Sequence, residues 1–275
     1  LEPDLEQRLQ TPFTWRTPEH PLPDPGVAPQ PQPERETYRA ATLGLWDYAR
    51  KTHSRGFVLS LSGGADSSMC AVLAAQALQR AKQEFPEKQL PDLADWLCCI
   101  YQGTANSSAD TRQSAQALAD NLGASFHSWE VDPLIEAYSH RAEQVLGRSL
   151  NWRQDDLALQ NIQARVRVPG IWLLANVRGA LLLTTSNRSE LAVGYSTMDG
   201  DAAGGLAPIA GLDKPFVRRW LQWAERELNL PGLCPVNSLE PSAELRPQEQ
   251  KQSDEADLMP YALLNRMEEL AFQHH

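Results

Sequence analysis

Positive charge is scarce in this sequence. Lys and Arg total 25 against 35 Asp and Glu, a formal net charge of −10 over 275 residues. So acidic a chain lacks the broad basic face that non-specific nucleic-acid or anionic-membrane binding requires, although a small cationic pocket for an anionic ligand remains compatible with it. No apolar run approaches the roughly 20 residues of a membrane span, so neither nucleic acid nor a membrane is an expected partner. Cysteine is also sparse. Cys70, Cys98, Cys99 and Cys234 form no C-x-x-C pair and no Cys/His ligand cluster, which argues against a zinc ribbon or a redox pair. Buried, reduced thiols of a cytoplasmic protein are the expectation. Cys98 and Cys99 stand together in an apolar run, where successive strand side chains point to opposite faces. There is no internal repeat, no G-x-x-x-x-G-K-[ST] loop and no G-x-G-x-x-G fingerprint. The first residue is not Met and no signal-peptide pattern is present, which suits a processed chain or part of a longer polypeptide.

What the chain does have is 42% apolar and 22% charged residues, the proportions of a globular protein, and length for one sizeable α/β domain or two small ones. Nine of its 20 prolines fall within the first 33 residues. The stretch PLPDPGVAPQPQP sustains neither a helix nor a central strand, so residues 1–35 read as an extended arm or linker, with Phe13 and Trp15 as docking points. The compact domain is expected over residues 36–275.

From Glu36 the pattern alternates. A helix over 36–52 precedes a strand from Gly56 to Leu61, a glycine turn over Ser62–Ser68, and a helix from Ser67 to Arg80. Strands follow over Trp96–Tyr101, Ser125–Val131 and Ala180–Thr185. Helices are expected over Thr111–Leu122, Leu134–Leu146, Leu157–Val177 with a kink at Pro169, Ser189–Tyr195, Lys214–Leu228 and Pro260–Phe272. Strands alternating with helical crossovers imply an α/β fold, a doubly wound parallel sheet with helices on both faces.

Ligands of such sheets bind outside the carboxyl ends of the strands. The first strand ends in Ser62-Gly63-Gly64-Ala65-Asp66-Ser67-Ser68 and opens a helix. Glycines permit close backbone approach, the helix start supplies free N–H donors, and the three serines add hydroxyls, together a cradle for pyrophosphate. Asp66 would repel phosphates unless a cation such as Mg²⁺ lies between them. Glu190 also follows a strand end and can reach the same edge, so the pair suits one metal ion; alone, Glu190 reads equally as a first-turn carboxylate complementing the helix dipole. Lys214 opens a helix, where a cation opposes the dipole, and a nearby phosphate would relieve this.

The S-G-G-x-D-S pattern resembles the PP-loop of the N-type ATP pyrophosphatases, enzymes that adenylate a substrate oxygen with release of pyrophosphate. Further blocks narrow the likeness. LALQNIQARVR (157–167), TSNRSE (185–190), Gly194-Tyr195, Gly200-Asp201, Pro208, GLDK (211–214), PSAEL (241–245) and SDE (253–255) resemble, in order, the motifs of NAD⁺ synthetases, above all the synthetase domain of the glutamine-dependent type. The resemblance runs from about Glu36 to Tyr261. It implies the adenine nucleotide alpha hydrolase-like fold and ATP-dependent amidation of deamido-NAD⁺ to NAD⁺ through an adenylated carboxylate. It implies ATP contacts at Ser62, Gly63, Gly64, Asp66, Ser67, Ser68, Thr185, Lys214 and Ser242, and Mg²⁺ at Asp66 and Glu190. It also implies substrate contacts at Arg165 and Asp201, catalytic weight on Asp66, Lys214 and Asp201, and a homodimer. Met198 and Gly205 depart from the ammonia-dependent members, which carry Lys and Asp there. No glutaminase module is recognisable, so ammonia is expected free or from a glutaminase domain or partner. Other PP-loop ligases (GMP synthetase-like or tRNA-modifying) leave the NIQAR helix or the acidic charge unexplained. A non-catalytic nucleotide sensor would have no need of Asp66, Glu190 and Lys214 together.

Overall fold

The computed structural model describes residues 32–239, 244–247 and 254–273. The expected arm over 1–35 lies almost wholly outside the described residues. The folded body starts with helix α1 (Pro33–Lys51), three residues before Glu36. Proline is tolerated in the first helical turn, where its missing N–H has no intrahelical partner to lose.

Strand β1 (Phe57–Ser60) is followed by α2 (Ala65–Glu84), a short α3 (Leu93–Trp96), β2 (Leu97–Gly103), α4 (Ala109–Leu122), β3 (Ser125–Glu130), α5 (Asp132–Leu146) and α6 (Trp152–Arg178). Then come β4 (Leu181–Leu183), α7 (Arg188–Val193), α8 (Lys214–Glu227), a 3-10 turn at Pro231–Leu233, α9 (Cys234–Ser238), α10 (Asp254–Asp257) and α11 (Tyr261–Gln273). The four strands lie in the order β3-β2-β1-β4, all parallel. From β1 the chain moves outward through β2 and β3, then returns to add β4 on the other side. The winding direction therefore reverses between β1 and β4, the point where such sheets hold ligands.

Each central strand is apolar on both faces because both are covered. Phe57 and Leu59 of β1 face a large core made with α1, α2, α4 and α8, centred on Leu73, Leu118, Val217 and Trp220. Val58 faces away, with Cys98, Ile100 and Leu182, onto Ile171 and Ala175 of α6. Cys98 and Cys99 thus divide between the two faces, as the strand alternation requires. Cys70, Cys98 and Cys99 are buried, whereas Cys234 is exposed, contrary to expectation, because it opens the short surface helix α9.

Two further expectations are corrected. Helix α2 begins at Ala65, two residues before the expected Ser67, so Asp66 joins Ser67 and Ser68 in its first turn. In α6 the helical dihedrals run through Pro169 and break at Asp155 (φ −118°, ψ 20°). There Arg148 holds the Asp155 carboxylate through two bonds of 2.7 Å, and the backbone N–H of Asn151 holds it at 3.0 Å. This capping network fixes the break at Asp155, two residues ahead of the expected helix start at Leu157.

Glycines at two turns test the packing. At Gly56 (φ +136°) an added Cβ would lie 2.1 Å from the Trp96 carbonyl oxygen, whereas at Gly123 (φ +77°) it would meet open space. Gly123→Ala should cost about 1–2 kcal/mol, the left-handed backbone penalty alone. Gly56→Ala should cost more, since its clash is with backbone that cannot swing aside. Urea denaturation of both variants measures the order; equal costs would contradict it.

Candidate active site

A cavity of about 320 Å³ opens at the carboxyl edge of the sheet, at the reversal between β1 and β4. The loop after β1 supplies one wall. Its hydroxyls are tied to one another: Ser67 Oγ accepts from the Ser62 backbone N–H (3.2 Å) and contacts Ser62 Oγ (3.0 Å), and Ser62 Oγ accepts from the Gly64 N–H (3.3 Å). Gly64 stands at the N-cap of α2 and gives the helix no side-chain cap. The first-turn N–H groups therefore meet the cavity uncapped, the arrangement that receives anions at helix starts.

Gly63 (φ +85°) does not line the cavity; a Cβ there would lie 2.1 Å from the Thr111 carbonyl oxygen, so it lets the loop pass against α4. Ser68 is likewise not on the wall. Its hydroxyl is fully buried without a hydrogen-bond partner, one helical position too far round α2 to face the cavity. Ser62, Gly64, Asp66, Ser67, Thr185 and Lys214 all line it. Ser242 lies outside the described residues.

The charged centre is compact. The Lys214 ammonium donates to Asp66 Oδ2 (2.5 Å) and to Glu190 Oε1 (3.3 Å). Lys214 is held at the start of α8 by its backbone N–H on Ser189 Oγ (3.3 Å), while Asp213 caps the helix through the Phe216 N–H (2.8 Å). The lysine at this helix end, expected to be relieved by a phosphate, is paired with two carboxylates of the protein itself. One ammonium against two carboxylates leaves excess negative charge in a largely buried place. Burial first and the neighbouring Asp66 second raise the Glu190 pKa, against Lys214 and the Asn187 N–H, to a net value of about 8. The donor set is hard oxygen, suited to Mg²⁺ completed by phosphate and water. Among the described residues no third His, Cys, Asp or Glu joins a metal cluster. Ser186 Oγ, on the cavity wall, is buried without a hydrogen-bond partner, as expected where a ligand supplies one.

Across the cavity, Asp201 accepts from the Thr197 N–H (2.6 Å), and desolvation raises its pKa although the residue keeps solvent contact. Arg165 is not brought to the cavity. It is exposed on α6 with its Nε on the Met198 carbonyl oxygen (3.1 Å). Two residues along a helix is a rotation of about 200°, and it is Arg167 that enters the wall, with Nε on the Gln102 carbonyl oxygen (3.2 Å). Burial lowers the Arg167 pKa, with Tyr101, Asp201 and Glu244 acting against it. The spacing Ala164, Arg167, Ile171 on the inward stripe of α6 was the available signal for this residue. Arg218, one turn after Lys214, and Glu244 also line the cavity and were not anticipated. Glu244 (φ +48°) accepts from the Ser108 N–H (3.3 Å) and Thr111 Oγ1 (3.0 Å), which seats Glu244 on the start of α4.

The NAD synthase family model matches residues 37–275. The chain belongs to the NAD synthase family. It is 36% identical over 242 residues to a glutamine-dependent NAD(+) synthetase of Aquifex aeolicus, covering 88% of this chain and 39% of that protein. It is 35% identical to that of Thermotoga maritima, covering 88% and 38%. The crystal structure of a glutamine-dependent NAD(+) synthetase from Cytophaga hutchinsonii superposes with a TM-score of 0.77 at 44% identity, covering 88% of this chain and 43% of that one. The chain thus spans roughly two fifths of the length of these relatives. An NH3-dependent NAD synthetase from Campylobacter jejuni (TM-score 0.60, 23% identity) shares the fold. The parallel sheet and loop are accordingly those of the PP-loop ATP pyrophosphatases. No helix among the described residues is long and apolar enough to cross a membrane.

The raised Glu190 pKa carries a sign. An acid whose folded pKa exceeds its unfolded value binds more protons when folded, so metal-free stability falls as pH rises from the ordinary carboxylate range towards 8. Glu190→Gln, which does not ionise, should flatten that slope in thermal melts taken across pH 5–8; a variant slope as steep as the parent's would remove Glu190 as its source.

Proposed function

We propose that this chain catalyses ATP-dependent amidation of deamido-NAD⁺ to NAD⁺, with release of AMP and pyrophosphate. The observation that carries the reading is the meeting of Asp66, Glu190 and Lys214 beside the uncapped start of α2, at the sheet's reversal. A nucleotide polyphosphate supplies the anion these N–H groups lack. Asp66 and Glu190 would hold Mg²⁺, which when bound neutralises phosphate charge. The amides of the α2 first turn, with the hydroxyls of Ser62, Ser67 and Thr185 and the ammonium of Lys214, hold the nucleotide so that its α-phosphorus faces the nicotinate carboxylate. Attack by that carboxylate forms the acyl adenylate and expels pyrophosphate; ammonia then attacks the activated carbonyl and AMP leaves. Positioning and charge neutralisation do the work, with no protein nucleophile.

Asp201 and Arg167, on the opposite wall, are placed to orient the acid. Arg165, expected to contact substrate, serves that role only where a second subunit meets α6. The outer faces of α5 and α6 suit such a subunit: α5 buries no residue, and Leu173 and Val177, one turn apart on α6, are 65% and 76% exposed. Contiguous apolar exposure of this kind marks an interface, and we assign it to a homodimer.

The purified chain given ATP, Mg²⁺, deamido-NAD⁺ and ammonium chloride should form AMP and NAD⁺ in equal amounts. Xanthosine monophosphate or tRNA in place of deamido-NAD⁺ should give no AMP, and glutamine should not replace ammonium. AMP formation with xanthosine monophosphate alone would overturn the substrate assignment. Asp66→Ala and Lys214→Ala should each lower kcat by about 100-fold or more, the scale of losing one group that stabilises transition-state charge, with circular dichroism unchanged. A sedimentation coefficient of a dimer is expected for the parent, and of a monomer for Leu173→Glu combined with Val177→Glu.

A further inference from the structure

We infer that Asn187 is a positioning residue for the Asp66–Glu190 pair, which deepens the reading above and rests on it. Asn187 is fully buried beside the cavity. Its Oδ1 accepts from the Glu190 backbone N–H (3.0 Å) while Glu190 Oε2 accepts from the Asn187 backbone N–H (3.3 Å), a reciprocal cap on α7. Its Nδ2 donates to Asp66 Oδ1 (2.9 Å). The two ends of the amide fix each other's assignment. A backbone N–H demands the oxygen on one side and a carboxylate demands the nitrogen on the other, so a flipped amide would fail at both.

Capping alone does not select asparagine. Asp, Ser and Thr cap helices comparably. Asp would turn a carboxylate on Asp66, and the shorter Ser side chain keeps the cap without spanning to Asp66. Only a side chain with an acceptor and a donor about one amide apart ties the helix bearing Glu190 to the carboxylate of Asp66. The tie also orients that carboxylate: Oδ1 goes to Asn187 and Oδ2 to Lys214. Each oxygen keeps a lone pair for a further partner. A single amide thus registers the loop after β4 against the first turn of α2.

Asn187→Ser and Asn187→Ala separate capping from positioning. The serine variant, which keeps the cap, should melt above the alanine variant. Both should bind Mn²⁺–ATP about 10–100-fold more weakly, the usual penalty for removing a partner that orients a metal-site carboxylate. Electron paramagnetic resonance titration of the whole chain reads this without turnover or deamido-NAD⁺. In the amidation assay the serine variant should lower kcat while the KM for deamido-NAD⁺ stays within twofold of the parent's. Parent-like Mn²⁺–ATP affinity in the serine variant would reduce Asn187 to a helix cap and overturn the inference. Asn187→Thr, also a competent cap, decides in the same way if the serine variant does not fold. A parent chain that binds Mn²⁺–ATP but forms no NAD⁺ would refute the amidation and leave this inference to the titration. A parent that binds no Mn²⁺–ATP would remove both.

Discussion

One ammonium shared between two carboxylates organises this end of the molecule. Lys214, Asp66 and Glu190 come from three elements distant in sequence, and each would be costly to bury alone. With Glu190 ionised the three carry one excess negative charge, and the raised Glu190 pKa is the response to it. The two carboxylates present hard oxygen donors of the kind that would suit a hard cation accompanied by phosphate oxygens. The remaining architecture serves to hold the three in register. Asp66 is set by the close packing of α2 on the sheet, Glu190 by the short α7 after β4, and Lys214 by the start of α8 and its contact with Ser189.

The fold was largely legible because its signals are local. Continuous apolar runs bounded by glycine mark strands covered on both sides, and Gly123 and Gly147 end α4 and α5 in left-handed turns where the sequence places them. Boundaries were less legible where side chains decide them. Asp155 bends α6 through partners across a turn, and Pro169 passes inside the helix without breaking its dihedrals. Strand order was not legible at all, since pairing β4 with β1 depends on contacts between segments more than 120 residues apart.

The site divides in the same way. Asp66, Glu190 and Lys214 lie in compact motifs at strand and helix ends, so their convergence follows from the topology. Arg165 and Arg167 show the opposite case. They are neighbours in one motif, and only the angle about the helix axis decides which one meets the cavity. Gly63 and Ser68 belong to the loop motif yet serve packing, because a motif records what a segment requires as a whole, contacts with α4 and the core included. Asn187 was not anticipated: its bond to Asp66 joins residues 121 positions apart and no local pattern carries it.

Helix α2 is buried along most of its length and lined with small side chains, among them Ala71, Ala74, Ala75 and Ala77. A rod packed so tightly on every side has no slack with which to tilt or slide. The α2 wall of the cavity is therefore stationary, and any change in the cavity's width must come from the facing wall around Asp201 and Glu244. Sequence drift should follow the same division, with residues along the rod held nearly constant in volume while the facing wall is freer to vary.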